Sequence, residues 1–411
     1  MGDESAMTSR ERIIMSLKHK EPDRVPVDFD GMRSTGIHAR AYSELKRYLD
    51  LKDKSVRIYD LGQQLGEVDE ETRQIFNVDV VALKGLYTNF GCRLDRWKKF
   101  PMFPDGEYYV PEDFNPQKDE EGNWIVKDSE GRIIAKMPKD GYYFDGMYYP
   151  LEDAQSKEDI DKYFASLKTI SDEEIDYLVK SAKYFRENTD YAIMGNFGGN
   201  FFEAGHGLFG YQKFMELLAF DRPLIEYFLN KLEEFYLNNL EIYLDKVGDY
   251  IDIIQFGDDY GSQNGPQISL KMFRDIFKPH LKSLCEYTKR KKKHIFTFLH
   301  SCGSISALLP DIIDAGIDII NPVQTTAANM DPEFLKREFG DAITFWGGGA
   351  DTQKILPFAS KEEVIDDVKR RIEIFAPGGG FVFTAIHNIQ FGVPAENVVT
   401  MFEAVKEFGK Y

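Results

Sequence analysis

His294-Ile295-Phe296-Thr297-Phe298-Leu299-His300-Ser301-Cys302-Gly303 is an apolar, β-favouring run that breaks into a polar tetrad closed by glycine. Such a run reads as a strand buried on both faces, the condition of a parallel sheet covered by helices. Five runs of the same kind lie around it: Ala192 to Phe197, Tyr250 to Phe256, Ile317 to Val323, Ile343 to Trp346 and Phe381 to Ile386. Between them helical periodicity takes over, as in Tyr211 to Val247, Ser269 to Lys289 and Lys361 to Ile374. Val25 to Phe29 and Val78 to Lys84 add two strands upstream, making eight. Eight strands alternating with helices close into an α/β (β/α)8 TIM barrel; an open, doubly wound sheet is the alternative.

Upstream of the barrel strands, Met1 to Ala6 are polar and expected to fray, and Thr8-Ser9-Arg10-Glu11 has the spacing of a capping box opening a helix through Leu17. Residues 97–150 interrupt the rhythm with Tyr, Asp, Gly and Pro. Within them Asn123 to Val126 and Arg132 to Ala135 flank Asp128-Ser129-Glu130-Gly131, which predicts a β-hairpin insertion inside one barrel domain spanning 1–411. A lid, a dimer contact and plain decoration are all compatible with it. The aromatic stretch Tyr142 to Tyr149 fits a contact surface and simple packing equally.

A formal charge of −18 argues against nucleic acid as the partner, because phosphate binding needs clustered cations. The one basic run, Lys289 to Lys293, reads as a solvated helix end. Three cysteines, Cys92, Cys285 and Cys302, show no disulfide spacing, no signal core opens the chain, and no apolar stretch is long enough to span a bilayer. A reducing cytoplasm is the expected location, and a cysteine beside a histidine then raises metal binding before oxidation.

In a parallel barrel the loops after the strands carry the active site. Polar residues at predicted strand ends are Asp30, Asn196, Asp258, Asp259, His300, Cys302, Asn321, Gln324 and His387, with Arg33 in the loop after the first strand. Asp258 or Asp259 may equally cap a helix, and Gly347 to Gly349 a tight turn. His300, Cys302 and His387 are harder to set aside together. A soft thiolate and an imidazole spaced His-x-Cys, joined by a third ligand from another strand, suit one cation with an open coordination position. Gly378-Gly379-Gly380 precedes a strand and lacks the Lys-Ser/Thr of a phosphate loop, so a turn is expected there, and no Gly-x-Ser-x-Gly elbow appears.

These blocks together resemble the uroporphyrinogen decarboxylase superfamily over nearly the whole chain. They are Thr8-Ser9-Arg10-Glu11-Arg12, Pro22-Asp23-Arg24-Val25-Pro26, Gly257-Asp258-Asp259-Tyr260-Gly261, His300-Ser301-Cys302-Gly303, Gly347-Gly348-Gly349-Ala350-Asp351 and Gly378-Gly379-Gly380-Phe381. The resemblance implies a (β/α)8 barrel, as the strand count does. Its decarboxylase members hold polycarboxylates with arginines after the first strand; here Arg33 and Arg40 stand there, without the family's Met-Arg-Gln-Ala-Gly-Arg run.

The chain is more similar to the cobalamin-linked methyltransferase branch, whose zinc site joins a His-x-Cys pair to a third ligand, usually Cys, after the last strand. That likeness implies zinc on His300, Cys302 and His387, a corrinoid (cobalamin) supplied by a partner protein, and transfer of a methyl group to or from a small substrate such as a methyl ether. Asp258 and Asp259 would orient a ligand or move a proton, and Asp30, Arg33, Asn196, Asn321 and Gln324 would contact the substrate. Imidazole at 387 removes one negative charge from the zinc and makes it a stronger Lewis acid, which points away from coenzyme M as acceptor. The alternatives are a carboxy-lyase using Arg33, Arg40 and Asp30 or Asp258, and a non-catalytic binding barrel. A homodimer is suggested only by analogy with the decarboxylases.

Overall fold

The computed structural model describes residues 7–411, so the expected fraying of Met1 to Ala6 lies outside the described residues. Seven parallel strands form one sheet in chain order: β1 Val80–Leu83, β2 Ala192–Gly198, β3 Ile253–Gly257, β4 Phe296–His300, β5 Ile319–Asn321, β6 Thr344–Trp346 and β7 Phe381–Val382. The segment expected as the first strand, Val25 to Phe29, closes the ring between β7 and β1. Asp28 N–H donates to Phe383 O at 2.9 Å, Phe383 N–H to Pro26 O at 2.8 Å, and Asp79 N–H to Val27 O at 2.8 Å.

This stave makes a single parallel bridge, Val27 to Phe383, instead of a regular ladder. Pro26 has no N–H to give, and the Val27 N–H goes to the Asp79 carboxylate at 2.9 Å. Asp79 is buried and also takes Arg12 at 2.6 Å and Arg24 at 2.7 Å, which ties the stave to the N-terminal helix.

Alternation along the strands builds two apolar layers. Val80, Met194, Ile253, Phe298, Ile319, Trp346 and Val382 fill the barrel interior, with Ile13 and Leu17 of the helix Ser9–Leu17 in the same cluster. Ile193, Ile254, Leu299, Ile320 and Phe345 face outward in the larger cluster beneath the surrounding helices. The expected capping box is present: Glu11 N–H donates to Thr8 Oγ1 at 3.2 Å and Thr8 N–H to Glu11 Oε2 at 2.9 Å. The stretch expected as one helix over 211–247 divides at Asp221 into Tyr211–Phe220 and Arg222–Val247, Asp221 accepting from Leu224 N–H and Pro223 standing in the next first turn. Lys289, Lys291 and Lys292 each pair with neighbouring carboxylates at a helix end, so the basic run is no binding patch.

The hairpin forms from Trp124–Lys127 and Ile133–Met137, within a four-stranded sheet. The insertion begins by pairing elsewhere: Glu107–Pro111 lies parallel to Ser55–Asp60, in the connection from the first stave to β1. Phe144 N–H also donates to Gly62 O at 2.8 Å. The two inserted regions therefore support one another, and the loops beside them form a wall of the cavity described next. No helix among the described residues is long and apolar enough to cross a membrane.

Candidate metal centre and cavity

His300 is the last residue of β4, with Gly257 of β3 and Asn321 of β5 as its lateral neighbours. Its Nδ1 lies 2.6 Å from Asn321 Oδ1, while Asn321 Nδ2 donates to Trp346 O at 2.7 Å. The second bond fixes the amide, so Nδ1 must carry the ring proton and Nε2 keeps its lone pair. Nε2 lies 3.3 Å from Cys302 Sγ, 3.3 Å from Ser34 Oγ and 3.6 Å from Asp259 Oδ1. Trp346 is held in turn by its indole N–H donating to the buried Asp28 at 2.7 Å. Burial raises the Asp28 carboxyl to about 7, against the hydrogen bonds it accepts.

Cys302 is aimed by a crossing of two loops. Gly303 has φ of 83°, and a side chain on it would meet the Gly261 backbone at 2.6 Å, so glycine is required on both counts. Cys302 N–H donates to Asp259 Oδ1 at 2.7 Å. Burial, then Asp259 and Glu203, push the thiol well above its usual range. A cation at Sγ would offset that cost by stabilising the thiolate.

His387 completes the cluster from the far side. It follows the last strand with φ of 70°, a left-handed conformation a histidine adopts only when its surroundings impose it, at about 1–3 kcal/mol. Its ring centroid is 5.8 Å from that of His300, and ligand atoms of His300, Cys302 and His387 all lie within 4.8 Å of one another. Tetrahedral zinc asks for ligand atoms about 3.3–3.8 Å apart, so a contraction on the order of 1 Å suffices. Burial and the neighbouring His300 push His387 down to about 4, leaving a neutral ring with a free lone pair. Two imidazoles and one thiol thus fit zinc in donor type and placement.

Two measurements follow. Asn321→Ala frees the His300 tautomer and is expected to weaken zinc about 10–100-fold, read by competition with a chromophoric chelator. In metal-free protein the neutral His387 ring contributes stability that is present above its unfolded value of 6.5 and is lost as pH falls toward 4. Burial pushes His38 and His206 down to about 4 as well. The urea midpoint is therefore expected to fall from about pH 7 to about pH 5, and His387→Asn to remove only its own share of that slope.

A cavity of about 320 Å³ opens beside the cluster, lined by His300, His387, Asp259, Glu203, Asn196, Asn200, Gln255, Arg33, Lys84, Tyr59 and Asp60 among others. Of the residues expected to meet substrate, Arg33 and Asn196 line it. Asn196 Oδ1 is buried with no partner, and its Nδ2 makes only a 3.4 Å bond to Gly31 O.

The other expected contacts are placed differently. Asp30 lies behind the wall, accepting from Tyr59 OH at 2.7 Å and Lys84 Nζ at 2.8 Å. Both amide ends of Asn321 serve His300 and Trp346. Gln324 braces Gly303 N–H at 2.9 Å and donates to Gln263 at 3.0 Å. Asp258 is fully enclosed, accepting from Phe201 N–H, Phe202 N–H, Glu203 N–H and Tyr260 OH at 2.7–2.8 Å, which caps the helix Phe202–Phe209. Burial and Glu203 raise it to about 7. Its neighbour Asp259 faces the cavity. Arg40 pairs with Asp105 at 2.6 Å and stacks on Phe391, outside the cavity.

Glu203 and Asn200 were not anticipated. They sit in and just before the first turn of the helix after β2, where an acidic residue ordinarily reads as complementing the helix dipole. The glycine pair Gly198-Gly199 before them was the signal available.

Fold and site together define a barrel of the enzyme type, with its polar cluster at the C-terminal mouth. The chain belongs to the uroporphyrinogen decarboxylase (URO-D) family, whose model matches residues 150–408. Among solved structures it is similar to a methyltransferase from Methanosarcina mazei, at 18% identity and TM-score 0.59, covering 98% of this chain and 99% of that one. It also aligns with an endo-1,4-beta-xylanase from Caldicellulosiruptor owensensis, at 13% identity and TM-score 0.33, over 56% of this chain and 75% of that one. A search of curated proteins finds no match.

Proposed function

We propose that this protein is a methyltransferase that moves a methyl group from a small substrate, a methyl ether by preference, to a corrinoid carried on a separate protein, with one zinc held by His300, Cys302 and His387. The observation that carries the reading is the convergence of those three donors beside the cavity, with His300 Nε2 left bare by the Asn321 bond. When bound, zinc supplies a Lewis acid to the heteroatom bearing the methyl group.

The protein's own residues do the rest. Asn321 and Trp346 hold the His300 ring, Asp259 holds the Cys302 backbone, and Asn196 offers an unpaired acceptor to a hydroxyl on the substrate. Replacing the family's usual third thiolate by His387 leaves a less anionic ligand set, suited to a poor alkoxide or phenolate leaving group. The carboxy-lyase alternative loses Arg40 to Asp105, and the cavity presents Asp60, Glu203 and Asp259 against Arg33 and Lys84, an unfavourable field for a polycarboxylate. The corrinoid protein docks over the mouth, where the 97–150 insertion offers contact surface. Three unpaired cysteines fit the cytoplasm.

The test is zinc-loaded protein with cob(I)alamin and a panel of methyl ethers, methylamines and methyl thioethers, followed by absorption. Methylcobalamin formed from an ether is the expected result. No transfer from any donor overturns the reading.

A further inference from the structure

We infer that Glu203 is the general acid of the proposed reaction, handing its proton to the substrate oxygen as the methyl group leaves. The inference rests on the methyl-transfer reading and adds to it the group that neutralises the leaving oxygen.

Four elements build a carboxyl into the cavity wall without giving it a cation. Glu203 N–H is anchored on the buried Asp258 at 2.7 Å, which sets the first turn of the helix Phe202–Phe209. Asn200 Nδ2 donates to Glu203 Oε2 at 2.6 Å and leaves Oε1 without a protein partner among the described residues. Asn200 is itself held by Tyr236 OH, which donates to its carbonyl at 2.8 Å. Its amide reaches Glu203 only because Gly257, at the end of β3, has no side chain: a Cβ there would stand 2.6 Å from Asn200 Nδ2. Among the described residues no lysine or arginine forms an ion pair with Glu203. A carboxylate so placed has nothing to compensate its charge, whereas a carboxylic acid has a proton to give.

The surroundings act in the same direction. Burial and then Asp259 raise the Glu203 carboxyl, outweighing the opposing effects of His300, Asn200 and Arg33. Asp259 does not compete for the role, since its Oδ1 is committed as acceptor for the Cys302 N–H. His300 and His387 are needed as ligands through their lone pairs.

The step balances. The O–CH3 bond breaks with its electron pair remaining on oxygen, and the methyl carbon bonds to the nucleophilic cobalt of a reduced corrinoid. The oxygen takes the Glu203 proton, and solvent reprotonates the carboxylate. No outside oxidant or reductant is consumed.

Leaving-group dependence tests the assignment. With Glu203→Gln, demethylation of guaiacol, whose phenolate is basic, is expected to fall by about 10²-fold or more. Demethylation of 4-nitroanisole, whose phenolate needs no acid, is expected to stay within about 3-fold. Glu203→Ala should regain guaiacol turnover when formate is added, while zinc content and the circular dichroism spectrum stay those of the parent. Equal losses on both ethers, or no loss on either, overturn the assignment and leave methyl transfer standing. Parent protein inert toward both ethers overturns methyl transfer and the assignment together.

Discussion

Cys302→Ala is expected to yield a folded barrel that retains no stoichiometric zinc and transfers methyl groups on the order of 10³-fold more slowly. The thiolate is the only anionic donor in the set, and two neutral imidazoles without it hold zinc weakly. A metal acting as Lewis acid contributes several kcal/mol to stabilising developing charge, and each 1.36 kcal/mol is a factor of about ten in rate. Folding should survive, because the loop is shaped by the crossing of Gly303 over Gly261 and by Asp259 accepting the backbone N–H, neither of which uses the thiol. Elemental analysis together with the cob(I)alamin assay reads both effects. Full activity in zinc-free Cys302→Ala would remove the metal from the chemistry.

The second large effect is on stability. Asp258→Ala strands three buried backbone N–H groups and the Tyr260 hydroxyl, all now satisfied by one carboxylate. Each abandoned buried donor costs about 1–3 kcal/mol, so a loss on the order of 4 kcal/mol and a large fall in the urea midpoint are expected. Activity is lost with the helix start, since Glu203 depends on the same anchor. An Asp258→Ala protein with an unaltered midpoint and no activity would return Asp258 to the reacting groups.

That contrast marks what the sequence could reveal. The apolar runs place the strands because a parallel barrel buries both their faces, and the ends of those runs place His300, Cys302 and His387 at one mouth. Direction is harder. Asp258 and Asp259 are adjacent, yet one turns outward to cap a helix from the preceding βα unit and the other turns into the cavity. Asn321 reads as a substrate ligand until its two amide bonds to His300 and Trp346 are seen.

Gln324 and Asp30 are consumed by loop crossings and by Tyr59 and Lys84, partners remote in sequence. Glu203 escaped because helix starts commonly carry acids, and only the bare Gly257 beneath Asn200 distinguishes this one. The first stave reads as a strand by composition, whereas Pro26 and the Asp79 side chain reduce it to a single bridge.

X-ray absorption at the zinc edge of the purified protein tests the central claim most directly. One zinc per chain, with one sulfur at about 2.3 Å and two nitrogens at about 2.0 Å plus a light-atom ligand, is the predicted shell. Zinc well below one per chain, or a shell without sulfur, would contradict it.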